Sequence, residues 1–158
     1  MKLLLAIDVH DRHGPMFDEA ASWARRLDAR LDLVYVNTFS ADVPYLRGAV
    51  LNQELQRELE RVRQQEHGRL LELLDTLPER LRGEVRVVTG TPAPSICELA
   101  PDYDAILVAT HGRKGLAHLW LGSTAEEIIR RCPVPVIVLR LKAEQEARDG
   151  TSVADPIS

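Results

Sequence analysis

The stretch AILVATHGRKGLAHLWLGSTAEEIIRRCPVPVIVL, residues 105–139, decides the fold. It begins with an apolar strand pattern at 105–109 and ends with another at 134–139, and Pro133 separates the second strand from a helix pattern at 123–131. Strands without polar alternation are typical of parallel sheets that are covered on both faces. A strand, a helix and a second strand in this order predict a βαβ unit, with a glycine-containing loop before the helix.

The same alternation runs back to the amino terminus. Apolar and β-branched runs predict strands, and apolar residues spaced three and four apart predict helices. The predicted strands cover 3–7, 31–36 and 84–89, and the predicted helices cover 14–27, about 49–77 and 92 to about 100. Right-handed crossovers then give an α/β fold, a doubly wound parallel sheet of five strands with helices on both faces. Residues 1–141 form one domain in this interpretation, and 142–158, which lack periodicity, form a disordered tail.

Composition argues against several classes of protein. A net charge of −4 leaves no basic excess for binding nucleic acid. The apolar runs are too short for a membrane span, and the amino-terminal run ends at Asp8, too early for a secretion signal, so a cytoplasmic protein is expected.

Cys97 and Cys132 occur in apolar helix patterns and are predicted to be buried free thiols. Glu and Arg residues three apart on the long helix, among them Glu66 and Arg69, indicate a side that faces solvent.

The loops at the carboxyl ends of the strands are where a doubly wound sheet binds ligands. The loop that begins at Asp8 has no GxGxxG, and no Walker motif occurs in the chain. The loop at 109–124 differs, because its glycines let a ligand approach and Gly122 and Ser123 open a helix whose free amides favour an anion. Two basic residues within the loop add positive charge. A simpler interpretation also stays open, in which Ser123 and Glu126 form a capping box that closes the helix start internally.

The spacing of the glycines in this loop has a counterpart in a known family. Gly112 and Gly122 are separated by nine residues, a hydroxyl residue follows, and the strand pattern CPVPVIV at 132–138 comes after the helix. This pattern resembles the carboxyl-terminal signature of the universal stress protein family, G-x2-G-x9-G-[S/T] before a helix and a similar strand. The similarity also covers 4–8, 33–36 and 90–92. The family's first glycine falls on Ala109, whose extra methyl would weaken binding if the ligand packed on that atom.

The resemblance implies a site for an adenine nucleotide, ATP or else ADP or AMP, with Mg²⁺ held by the phosphates. The residues implied at the adenosine are Ala6, Ile7, Asp8 and Val36. The residues implied at the phosphates and the adjoining strand end are Ala109, His111, Gly112, Arg113, Gly122, Ser123 and Thr124. Ser123 is also implied as a magnesium ligand, with phosphate oxygens and water completing the set. Two alternatives stay open, that Asp8 caps its own turn and that Val36 is a plain core residue, and His111 is expected to structure the loop and not to catalyse.

The resemblance further implies the strand order 3-2-1-4-5 and a homodimer through the edge strand 134–139. The implied function is a regulatory binding module of the stress response, in which bound ATP sets a conformation that an unidentified protein partner reads. The alternative is a protein of the same fold that binds no nucleotide and acts through dimerisation. An enzyme is not expected, because no motif supplies a general base and a second positioning group. A receiver-type signalling domain is discounted, because the third strand ends in Thr89 and Gly90 and not in an acid.

Overall fold

A computed structural model describes residues 1–7, 14–38, 53–110 and 122–140. It confirms the predicted sheet of five parallel strands in the order 3-2-1-4-5. The strands are β1 (Lys2–Ala6), β2 (Arg30–Asn37), β3 (Arg82–Thr89), β4 (Ala105–Thr110) and β5 (Val136–Arg140). The helices are α1 (Gly14–Leu27), α2 (Gln53–Asp75), α3 (Pro92–Leu99) and α4 (Ser123–Arg131), with short 3-10 turns at Glu79–Leu81 and Ala100–Asp102.

Prolines account for the main differences between the predicted and observed boundaries. β5 begins at Val136 and not at residue 134, because Pro135 has no amide proton to donate to the sheet. α2 ends at Asp75 and not at residue 77, because Pro78 follows and the last amides turn back to carbonyls three residues earlier. The predicted helix residues 49–52 and the predicted tail 142–158 lie outside the described residues, so the domain boundary at 141 stays a prediction.

The core consists of two apolar layers, one on each face of the sheet. Alternate residues of a strand point to opposite faces, so the central strands contribute to both layers. The layer beneath α1 and α2 buries Met16, Phe17, Ala20, Leu33, Leu70, Leu74 and Leu107. The layer beneath α3 and α4 buries Val34, Val36, Ala93, Ile96, Ile106, Ala125 and Ile128. Because the first two helices share one face and the last two share the other, the sheet is doubly wound, as predicted.

Part of α2 contradicts the interpretation of its charged residues. Glu66, expected on the side that faces solvent, is only 5% exposed, and Arg69 donates a hydrogen bond of 3.2 Å to its Oε1 atom. None of the described residues gives the Oε2 atom of Glu66 a hydrogen-bond partner. Glu58 and Arg61, in contrast, form an exposed pair with 3.6 Å between their charged atoms. The spacing of Glu and Arg along the helix predicts such pairs, but it does not determine which of them are buried in the folded protein.

A buried carboxylate joins the amino ends of the strands. Asp32 of β2 is 1% exposed and accepts hydrogen bonds from the Glu84 amide, at 3.1 Å, and from the Tyr103 hydroxyl, at 2.9 Å. The Nζ atom of Lys2 lies 3.6 Å from the same carboxylate and covers the Tyr103 ring. Gly83 passes so close to Asp32 that any Cβ atom there would overlap its Oδ1 atom. We call Lys2, Asp32, Gly83, Glu84 and Tyr103 the amino-edge cluster.

Candidate functional site

The order of the strands places a switch point between β1 and β4. From β1 the chain winds outward through β2 to β3, and from β4 it winds the other way to β5. The helices that follow β1 and β4 cover opposite faces of the sheet, α1 one face and α4 the other. In doubly wound sheets, ligands bind at such a switch point, above the carboxyl ends of the two strands.

The structure brings the described members of the predicted adenosine site to this edge of the sheet. Ala6 ends β1, and the amide of Ile7 continues the ladder with a hydrogen bond of 2.9 Å to the carbonyl of Val34. Val36 is the last residue but one of β2. Ala6 and Val36 both pack in the layer beneath α3 and α4, whereas Ile7 packs in the opposite layer. Ala6 and Val36 therefore lie on the side of the sheet that α4 covers, and Ile7 lies on the other side.

Four residues of the predicted site, Asp8, His111, Gly112 and Arg113, lie outside the described residues. Their roles stay predictions. The remaining phosphate-site residues are all described and occur together, since Gly122 precedes α4 and Ser123 and Thr124 are its first two residues. All three are exposed.

The start of α4 is not closed by a capping box. The N-cap residue is Gly122, in an extended conformation with φ −63° and ψ 149°, and no side-chain hydrogen bond caps the helix. The carbonyl of Gly122 accepts the amide of Glu126 at 2.9 Å, which is the first bond of the helix itself. The interpretation of Ser123 and Glu126 as a capping box is therefore wrong. Within the described part of the chain no side chain takes up the first amides, which is the condition for anion binding at a helix start.

The other helix on this face, α3, begins in a different way. Its N-cap, Thr91, is also extended and also makes no side-chain cap. Pro92 and Pro94, however, have no amide protons, and the amide of Ser95 is bonded to the carbonyl of Thr91 at 3.1 Å. The start of α4 therefore has amide protons on consecutive residues, whereas prolines interrupt them at the start of α3.

The methyl group of Ala109 takes up no space on the side of the sheet that α4 covers. It lies within β4, opposite Leu139 of β5, and its methyl group packs against the layer beneath α1 and α2. Among the described residues only Asp28 combines a side chain with a positive φ, so the backbone at Ala109 does not require glycine. The methyl group points away from the side of the sheet on which Gly122 and Ser123 lie.

A second cleft lies at the same edge, above the ends of β2 and β3, and the sequence reasoning missed it. It is lined by Asn37, Gln56, Leu59, Glu60, Arg63, Val87 and Thr89. The Asn37 carbonyl holds its floor together by accepting the Gly90 amide at 3.0 Å. The signal that could have revealed it is the pair Asn37 and Thr89, polar residues that end two adjacent strands.

The described residues show neither a cluster of metal ligands nor a membrane-spanning helix. No three His, Cys, Asp or Glu side chains there are grouped in a way that could hold a metal ion. None of the described helices has the length and apolar character that a membrane crossing needs. Magnesium, as implied above, would instead be held by phosphate oxygens with the exposed Ser123 hydroxyl beside them.

The fold and the helix start together define a class, an α/β domain with a doubly wound parallel sheet and a helix start that no described side chain caps. The model of the universal stress protein family matches residues 1–140. The chain belongs to this family. It is 31% identical to universal stress protein A homolog 1 of Coxiella burnetii over 89% of this chain and 96% of that protein. It is 33% identical to a universal stress protein of Mycobacterium bovis over 79% of this chain, but the match spans only 38% of that longer protein.

Solved structures agree with this assignment. The structure of UspA from Lactobacillus plantarum superimposes with a TM-score of 0.64 and 26% identity, and the match covers 89% of this chain and 97% of that one. A universal stress protein solved in complex with cAMP superimposes with a TM-score of 0.56, over 90% of this chain and 98% of that one. The latter is 19% identical and therefore shows the shared fold.

Proposed function

We propose that this chain binds an adenine nucleotide, ATP in the first place, above the carboxyl ends of β1 and β4. The observation that carries the proposal is the open start of α4, where Gly122, Ser123 and Thr124 are exposed and no described side chain caps the helix. Ala6 and Val36 lie on the same face and offer apolar contacts to an adenosine. A neighbour of the same fold that was solved in complex with cAMP supports the proposal of a nucleotide ligand.

In this proposal, the polyphosphate and the adenosine of the nucleotide bind at different groups of the protein. The polyphosphate lies at the start of α4, because the amides and the positive end of the helix dipole favour negative charge. The adenosine lies toward β1 and β2, where apolar residues end the strands. Arg113, and Mg²⁺ held partly by the Ser123 hydroxyl, add further positive charge in this proposal.

Binding, and not catalysis, is the role we propose. Phosphoryl transfer needs a base or water-positioning group beside the phosphates. In the described part of the site, the first two residues of α4 offer only hydroxyl groups and amides. Of the acids that follow, Glu126 is exposed, and Glu127 is half-buried and paired with Arg131. The bound nucleotide then acts as a regulatory ligand in the stress response. A protein partner in the cytoplasm recognises whether the nucleotide site is occupied.

The alternative is a family member that binds no nucleotide and works as a dimer. Its main support was the alanine at the position of the family's first glycine. That support is weakened, because the methyl group of Ala109 packs on the face opposite α4. A homodimer is compatible with either function, because β5 is an edge strand whose Val138 is 38% exposed.

Calorimetric titration with Mg-ATP tests the site. Gly122→Val is the informative variant, because no atom of the described residues lies within 4 Å of a Cβ atom at Gly122. We therefore expect the variant to fold and its side chain to block the phosphates. Gly68→Val is the matched control, since Gly68 on α2 is equally unobstructed and remote from the switch point. We expect the native protein and the control to bind, and Gly122→Val to bind at least tenfold more weakly.

The other outcomes discriminate between the alternatives. Failure of the native protein to bind any adenine nucleotide favours the function without nucleotide. Equal binding by all three proteins rejects the site at α4 and points to the cleft between Asn37 and Thr89.

Sedimentation of Val138→Lys tests the dimer separately: a shift to monomers supports pairing through β5, and unchanged sedimentation contradicts it. Val138 is preferable to Val136, because the latter packs partly against the core.

A further inference from the structure

The cleft above the ends of β2 and β3 is built from strand residues and helix residues that meet on one face of the sheet. Val87 of β3 is buried in the layer beneath α1 and α2, and Thr89, two residues further on, lies on the same face. Asn37 is paired in register with Thr89 across the two strands. These strand residues form the floor of the cleft. Residues spaced three and four apart on α2 form its wall, namely Gln56, Leu59, Glu60 and Arg63.

The cleft lies where α2 extends past the ends of these strands. α2 has 23 residues and is about 34 Å long, whereas β3 has 8 residues and is about 26 Å long. Leu70 and Leu74, nearer the carboxyl end of the helix, are buried, but Leu59 is only half-buried. The cleft has a volume of about 170 Å³. Pockets for drug-sized ligands have roughly 300–1,000 Å³, so this cleft suits a smaller molecule.

The wall of the cleft carries two opposite charges that do not neutralise each other. Two other pairs with the same spacing on α2 are closed, with 3.6 Å and 3.2 Å between their charged atoms, namely Glu58 with Arg61 and Glu66 with Arg69. Neither Glu60 nor Arg63 takes part in an ion pair among the described residues. The Oε1 atom of Glu60 instead accepts a hydrogen bond of 3.3 Å from the uncharged side-chain amide of Gln64. The cleft therefore presents a carboxylate and a guanidinium group, one helical turn apart.

We propose that this cleft binds a free α-amino acid with an aliphatic side chain. The carboxylate of the ligand pairs with Arg63, whose planar guanidinium group can donate to both carboxylate oxygens, and the ammonium group of the ligand pairs with Glu60. The aliphatic side chain packs against Leu59 and Val87, the apolar residues of the cleft. The hydroxyl group of Thr89 stands beside them as a further hydrogen-bonding group.

The two charges favour a zwitterion over an ion of one sign. A ligand with only a carboxylate is attracted by Arg63 but lies beside the carboxylate of Glu60, and a ligand with only an amine lies beside Arg63. An α-amino acid carries both charges on one carbon atom and matches both residues. The cleft is on the side of the sheet opposite α4, so the amino-acid site does not depend on nucleotide binding.

Calorimetric titration of the full chain with L-leucine tests the site. Two analogues of leucine each lack one charge, since 4-methylpentanoate has no amino group and 3-methylbutylamine has no carboxyl group. We expect leucine to bind and each analogue to bind about tenfold more weakly, because each leaves one charged group of the cleft without a partner. This comparison uses the native protein and does not require any variant to fold.

Variants of α2 then locate the site. Arg63→Gln and Glu60→Gln should each weaken leucine binding by about tenfold. Glu58→Gln and Arg61→Gln are the matched controls, because this pair has the same spacing on the same helix but does not line the cleft. All four side chains are exposed, so we expect the melting temperatures of the variants to remain close to that of the native protein.

Four results would overturn the proposal. They are no binding of leucine to the native protein, binding of either analogue as tight as that of leucine, equal binding by Arg63→Gln and the native protein, and an equal loss in the control variants. Gly122→Val separates this site from the proposed nucleotide site. It should bind leucine as the native protein does, whether or not the native protein binds ATP, and a loss of leucine binding in this variant would place the amino acid at α4 and contradict the assignment.

Discussion

The two edges of the sheet differ in how their polar groups are satisfied. At the amino edge, Asp32 is buried and is surrounded by the amide of Glu84, the hydroxyl of Tyr103 and the ammonium group of Lys2. At the carboxyl edge, the amides that begin α4 are exposed, and no described side chain caps them. The carboxylate at the first edge is bonded within the protein, and the second edge leaves donors exposed where we propose that a nucleotide binds.

This difference would separate stability from the proposed binding within one small domain. A buried charge is tolerated only where partners surround it, so the amino-edge cluster holds its strands in one arrangement. An uncapped helix start contributes less to stability but is available for an anion. Strands of five to eight residues keep the two edges roughly 20 Å apart. We therefore expect variants at one edge to affect the free energy of unfolding, and variants at the other to affect nucleotide affinity.

The largest effect on stability is expected for Gly83→Ala. A Cβ atom at this position would overlap the Oδ1 atom of Asp32 and would lie 2.5 Å from the carbonyl oxygen of Leu31, which belongs to the backbone and yields little. We expect the free energy of unfolding to fall by about 3 kcal/mol, measured by urea denaturation. Gly68→Ala is the control, because its site on α2 is unobstructed and the same change there should stabilise by about 0.5–1 kcal/mol. Equal stability of the two variants would show that the edge is not tightly packed.

A smaller effect is expected for Tyr103→Phe. The variant removes the hydroxyl that donates to Asp32 at 2.9 Å and leaves the carboxylate one partner short. Loss of a hydrogen bond to a buried charged group lowers the free energy of unfolding by about 2 kcal/mol at neutral pH. Nucleotide affinity should not change. A variant as stable as the native protein would show that Lys2 and the Glu84 amide satisfy Asp32 without the hydroxyl.

The same tyrosine gives the amino edge a dependence on alkaline pH. Burial, and then the hydrogen bond to Asp32, raise the pKa of Tyr103 far above its usual value of about 10. The folded state therefore keeps this proton where the unfolded state loses it, so its stabilising contribution is complete below about pH 10 and falls as the pH rises further. We expect the stability difference between the native protein and Tyr103→Phe to shrink above about pH 10, by up to about 1.4 kcal/mol per pH unit. A constant difference would contradict this linkage.

The sequence predicted the fold and the start of the site better than the contacts between distant residues. Apolar strand runs and helix spacing are local signals, and they located every strand and the bounds of α4. The capping-box interpretation of Ser123 was wrong, because S-x-x-E is also compatible with a helix that begins one residue earlier, after an extended Gly122. The direction of the Ala109 methyl group could not be predicted, because it depends on the exact register of β4 in the sheet.

Long-range contacts left no signal in one sequence. Nothing near Asp32 indicates that Gly83 must lack a side chain, because the two residues meet only when β2 and β3 pair. The prediction that Cys97 and Cys132 are buried is wrong, since both are half-buried. The cleft above β2 and β3, in contrast, does have a signal in the sequence. Asn37 and Thr89 are polar residues that end two adjacent strands, and both line the cleft.

The smallest effect on stability, and a clear effect on binding, is expected for Ser123→Pro. The start of α3 shows why this change fits, because an extended Thr91 precedes Pro92 there just as an extended Gly122 precedes Ser123. Proline removes a single amide donor from the helix start, so the free energy of unfolding should change by no more than about 0.5 kcal/mol. If that amide holds a phosphate, affinity for Mg-ATP falls by about tenfold.

Ser123→Ala is the control that separates the amide from the hydroxyl. It keeps the backbone donor and removes only the proposed magnesium contact, so its affinity should fall in the presence of Mg²⁺ and match that of the native protein when the metal is chelated. Ser123→Pro should bind more weakly under both conditions. If proline at this position leaves affinity unchanged, the amides of α4 do not hold the phosphates, and the division between a closed edge and a binding edge loses its basis.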